Sequence, residues 1–73
     1  MDIPHDANEH VPHPLLRKPV RDIASGTEGT LMAVVHENVA VGDGYLWAEI
    51  AYIRPVGGGR ETTTAVSNIM AAP

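Results

Sequence analysis

Three consecutive glycines, Gly57, Gly58 and Gly59, stand between a run of aliphatic and aromatic residues ending at Arg54-Pro55 and the threonine-rich run Arg60–Ala65. Few local structures accept three adjacent residues without a Cβ. Glycine loses more backbone entropy on ordering than any other residue, and it is favoured where the chain must enter left-handed or bulged conformations. Pro55 ends central strand pairing because it has no N–H to donate. The threonines suit a pleated surface. The pattern predicts a tight hairpin, with residues 45–54 entering it and 60–65 returning. A phosphate loop is the competing possibility, but it needs Gly-x-x-x-x-Gly-Lys-Ser/Thr opening a helix. No lysine follows the glycines, and "ETTTA" is a poor helix former.

The same logic organises the chain from Val20 onward. "VRDIAS" (20–25) reads as a first strand, and "GTEG" (26–29) as a turn in which Gly26 and Gly29 supply positive φ. "TLMAVVHENVAV" (30–41) is a second strand, with a disturbance expected near Glu37-Asn38. Asp43-Gly44 is a hairpin signal before the third strand, "YLWAEIAYIR" (45–54). "AVSNI" (65–69) predicts one helical turn and "MAAP" (70–73) a last short strand. Five short strands with one helical turn before the last is the order of a small all-β, SH3-like barrel.

Two resemblances support that expectation. "TAVSNIMAA" resembles the closing segment of Src-homology-3 domains, where a Ser-Asn-hydrophobic turn precedes the last strand; the tryptophan pair used in proline-peptide recognition has no counterpart on the third strand. "IASGTEGTLMAVV" with "AYIRPVGGGRE" is similar to short actinomycete proteins of unknown function that carry a Gly-Gly-Gly-Arg-Glu hairpin, with Thr62 here in place of a frequent tryptophan. This second resemblance implies a fold and a lineage, with no activity attached.

Residues 1–19 hold four of the six prolines and three of the four histidines, with almost no periodic apolar pattern. They are expected to form a flexible arm joined to a barrel domain at 20–73. Within the arm, Leu15 and Leu16 of "HPLLRKPV" offer a segment that could dock as an edge strand or lie on a partner. The chain has no cysteine, which excludes disulfides and thiolate zinc sites and fits a reducing, cytoplasmic setting. No signal peptide or membrane-length apolar run is visible. The formal net charge is −4, whereas nucleic-acid binding calls for a basic face.

No enzyme signature emerges. His36 and Glu37 are neighbours, so a strand points them to opposite faces, and neither Ser25 nor Ser67 has a histidine nearby in sequence. His5, His10 and His13 lie among Asp2, Asp6 and Glu9, but a metal site needs ligands held in fixed geometry. No metal, cofactor or small-molecule substrate is expected. Tyr45, Trp47 and Tyr52 share the third strand, and Arg54 and Arg60 flank the glycines; these five are the candidates for a contact surface. Leu46, Ala48, Ile50 and Tyr52 occupy one face of that strand, with Trp47, Ala51 and Ile53 on the other, and a small barrel buries only one. The expectation is a non-enzymatic protein-interaction module that self-associates as a homodimer. The alternative is a nucleic-acid or transcription-complex accessory barrel of the KOW type.

Overall fold

A computed structural model describes residues 8–73. Six strands form one antiparallel sheet: β1 (Asn8–His10), β2 (Pro19–Asp22), β3 (Glu28–Val41), β4 (Gly44–Pro55), β5 (Thr62–Ala65) and β6 (Ile69–Ala71), with a 3₁₀ turn at Val66–Asn68. The order is β5-β4-β3-β2-β6, and β1 also pairs with β3. The all-β expectation holds. The expected five-stranded closed barrel does not form, because no ladder joins the outer strands β5 and β6 among the described residues. Both are short, and the 3₁₀ turn lies between them. Asn68 Nδ2 donates to Thr64 Oγ1 at 3.0 Å, and Ile23 N donates to the Asn68 carbonyl at 2.9 Å.

β3 carries the sheet. It pairs with β4 along one edge, and with β2 and β1 in succession along the other. The β3–β4 register shifts between Leu31 and Ala33, a bulge at Met32, and not near Glu37-Asn38 as the sequence suggested. An extra residue there reverses the alternation of faces, so Leu31 and Val34, three apart, both point inward. They meet Val20, Ala51 and Ile53 in a core whose members are at most 1% exposed. This settles the third strand: β4 buries its Ala51–Ile53 face.

Residues 8–18, within the segment expected as an arm, run along the sheet. Val11 N donates to Val34 O, the chain then leaves the edge opposite the bulge, and it rejoins through Arg17 N to Leu31 O and Leu31 N to Lys18 O. The intervening turn carries Leu15 and Leu16 against the core, together with Val11. Proline is tolerated here because the excursion lies outside the ladder. Residues 1–7 of the expected arm lie outside the described residues.

The glycine triplet forms the hairpin tip that the sequence predicts. Gly58 N closes on Pro55 O, and all three glycines have φ near +90°. A Cβ at any of them would meet nothing within 4 Å, so backbone conformation and not space selects glycine there. Gly29 is the reverse case. It was expected in a turn with positive φ, but it lies inside β3 opposite Pro55, where a Cβ would stand 2.1 Å from the Arg54 carbonyl oxygen. Gly29→Ala is therefore expected to separate β3 from β4 and cost roughly 1–3 kcal/mol, read as a lower urea midpoint with the same m-value.

Candidate functional site

The β3–β4 hairpin outruns the rest of the sheet. Its two strands are joined by the two-residue turn Gly42-Asp43, one residue earlier than the Asp43-Gly44 signal suggested, with Gly42 at φ +53° and Val41 opposite Gly44. On the β4 edge, pairing with β5 stops at Ile50 opposite Ala65. On the β3 edge, the described pairing with β1 runs from Val35 opposite His10 to Glu37 opposite Asn8, the first described residue. Among the described residues, Asn38–Val41 and Gly44–Glu49 therefore pair only within the β3–β4 ladder. A 14-residue strand spans about 46 Å, and the molecule measures 43 Å along its long axis. Exposure follows: Ile53 is fully buried, Trp47 is 50% exposed and Tyr45 76%.

Both faces of this ribbon are apolar. The register places Tyr45 and Trp47 on the face that continues from Ala51 and Ile53, beside Ala40, Asn38 and His36. The His36 ring lies 4.9 Å from the Trp47 ring at a tilt of 46°, a geometry suited to edge-on aromatic contact. The other face carries Val39, Val41, Leu46 and Ala48, with Leu46 and Val41 exposed. A two-stranded ribbon gains little stability by itself, and exposed apolar groups gathered in one place mark interaction surfaces.

The five candidate residues do not form one surface. Tyr45 and Trp47 share the ribbon. Tyr52 points to the opposite face, where its hydroxyl donates to Glu37 Oε2 across the Val35–Ile50 pair, over a Val35 that is only 6% exposed. Arg54 is exposed at the far end of β4, about 30 Å along the strand from Tyr45. Arg60 is exposed in the glycine loop at that same far end. His36 and Glu37 do take opposite faces, one beside Trp47 and the other bound by Tyr52. Sequence reasoning missed Val41 and Leu46, because nothing in an alternating apolar run says that the neighbouring strands stop short.

Two carboxylates anchor polar clusters. Asp22, 6% exposed, accepts hydrogen bonds from Ser25 Oγ (2.6 Å), Ala24 N (3.1 Å) and Thr64 Oγ1 (3.0 Å). It thereby ties the β2–β3 turn to β5. The Ser25 hydroxyl, above all, holds its pKa below 3.8, against the opposing effect of burial. Ser25 is thus engaged structurally. Glu37 has the opposite influence on its partner: its hydrogen bond to the phenol, reinforced by burial and by the negative charge, raises the Tyr52 pKa above 10.0.

Among the described residues no three metal-ligating side chains converge. His13 Nδ1 accepts from Leu15 N at 3.0 Å, within the turn that covers the core. His5, Asp2 and Asp6, weighed as metal ligands from the sequence, lie outside the described residues. No described helix is long and apolar enough to cross a membrane. No protein-family model, curated protein or solved structure matches this chain.

Two titrations follow. Folding lowers the Asp22 pKa, so its contribution to stability is complete above about pH 5 and is lost as pH falls through 3.8 and below. Asp22→Asn should cost about 1–3 kcal/mol at pH 7 and flatten the acid limb of stability against pH. For Tyr52, absorbance at 295 nm should show a phenol titrating above pH 10, and Glu37→Gln should bring that midpoint down.

Proposed function

We propose that this chain is a non-enzymatic protein-interaction module that self-associates through the projecting β3–β4 ribbon. The observation that carries the reading is the concentration of Val41, Tyr45, Leu46 and Trp47, each about half exposed or more, at the end of two strands where the outer edges carry no partner among the described residues. Burying such side chains is worth about 1.5–3 kcal/mol each, and the chain's own core lies at the other end of the hairpin. The body of the sheet, from β2 to β6 with the 3₁₀ turn before the last strand, is the scaffold that holds the ribbon out. We read it as an opened variant of the SH3-like arrangement, in a cytoplasmic protein whose lack of cysteine fits a reducing compartment.

The ribbon's chemistry fits a protein surface better than a phosphate backbone. Residues 38–49 contain no lysine or arginine and two carboxylates, Asp43 and Glu49. Arg54 and Arg60 sit at the opposite end of β4. A protein surface also makes no use of a metal, cofactor or small substrate.

Sedimentation over a concentration series tests the reading. The chain should pass from monomer to dimer as concentration rises. Trp47→Ala should weaken that step by about ten-fold or more while keeping the same far-UV spectrum, since Trp47 lies outside the core cluster. A chain that remains monomeric throughout, or a Trp47→Ala variant that associates like the parent, would remove the ribbon from this role.

A further inference from the structure

The turn fixes which backbone groups the ribbon offers. Val41 and Gly44 flank a two-residue loop, so they form a hydrogen-bonded pair, and alternate residues repeat that state along the hairpin. On β4, residues 44, 46, 48 and 50 thus bond toward β3, while 45, 47 and 49 direct their N–H and C=O groups away from it. The same parity on β3 turns residues 34, 36, 38 and 40 outward. The observed bond from Val11 N to Val34 O agrees with it. The β4 edge therefore presents a five-residue stretch, Tyr45–Glu49, with three residues' worth of backbone donors and acceptors that no described strand takes up.

Resting on the self-association proposed above, we infer that two copies join edge to edge through this stretch, β4 against β4 in antiparallel register about a two-fold axis at Trp47. Backbone parity, charge and space select this register. Outward groups meet outward groups only if paired residue numbers sum to an even value. Centring on Leu46 would set Asp43 opposite the partner's Glu49, two like charges facing each other twice. Centring on Ala48 would set Tyr45 opposite the partner's Ala51, whose outward side is already taken by Thr64 of β5. Centring on Trp47 uses the whole free stretch: Trp47 faces its symmetry mate, and Tyr45 faces Glu49 in both directions. The ladder then ends where β5 begins, at a notch of about 390 Å³ lined by Ala48, Glu49, Ala65, Val66 and Ser67. The partner's Tyr45 arrives there opposite Glu49, and its Gly44, which has no side chain and bonds toward its own β3, comes opposite Ile50, the residue that Ala65 pairs. An isologous contact of this kind closes on itself as a dimer, whereas β4 pairing with the β3 edge of another copy would propagate.

The chain has no cysteine of its own, so single introduced thiols report the register cleanly. Directly opposed residues have Cα atoms about 5.5 Å apart, within disulfide reach. In this register two Tyr45 positions are about 13 Å apart. Under mild oxidation, an equimolar mixture of Tyr45→Cys and Glu49→Cys chains should give the mixed disulfide dimer at least ten-fold faster than either variant alone. Glu49→Pro supplies a second readout: it removes an outward N–H without touching the β3 ladder, so it should weaken dimerisation at least ten-fold in a chain that stays folded. A dimer by sedimentation that cross-links equally in all mixtures, or that tolerates Glu49→Pro, would overturn the edge register and leave self-association standing. A monomer at every concentration would overturn both.

Discussion

The ladder between β3 and β4, and the bulge that interrupts it at Met32, is the constraint on which the rest of the sheet depends. Without the shift, Leu31 and Val34 would fall on opposite faces, and the core would lose one of its fully buried members. The bulge also breaks the other edge of β3 into two sites, one for β2 and one for β1, with the 12–17 excursion between them. That excursion places Leu15 and Leu16 over the core. A single inserted residue thus sets the content of the core, the path of the N-terminal segment and the lid that covers the apolar cluster.

The same hairpin links folding to the proposed role. One end is dry and crowded: Gly29 lets the Arg54 carbonyl approach to a distance that no side chain allows. The other end runs beyond every neighbouring strand among the described residues and carries Tyr45, Leu46 and Trp47 into solvent. Natural sheets usually blunt long exposed edges with charge, proline or a bulge, because an open edge recruits other chains. The stretch Tyr45–Glu49 has only Glu49 as a charge and no proline or glycine. In the proposed dimer this edge accepts a second copy's strand, and the position of its single charge restricts the register.

Asp22 and Glu37 show polar side chains doing structural work on each side of the sheet. Asp22 gathers the β2–β3 turn, β5 and, through Thr64, the 3₁₀ turn into one hydrogen-bonded cluster. That cluster helps hold the two outer strands in place without a ladder between them. Glu37 and Tyr52 cross the outer face above Val35, where among the described residues the apolar pair Val35–Ile50 has no second layer of sheet. Glu37 and Tyr52, both weighed from the sequence for catalysis or contact, are hydrogen-bonded to each other on this face.

By itself, the sequence determined the local structure: an all-β chain, a hairpin tip at Gly57–Gly59, a turn near Asp43 and a single helical turn before the last strand. These follow from backbone chemistry within a few residues, namely missing side chains, missing N–H groups and β-branched runs. Tertiary structure alone decided the location of the bulge, the docking of residues 8–18, the burial of the Ala51–Ile53 face and the projection of the ribbon. Each depends on where a non-neighbouring strand begins or ends. The alternation in "YLWAEIAYIR" is the same whether β5 pairs with all of it or with half. Tyr45 and Trp47 are left exposed because β5 stops at Ala65, opposite Ile50, and Tyr52 is drawn to the other face by the two-residue period of the strand.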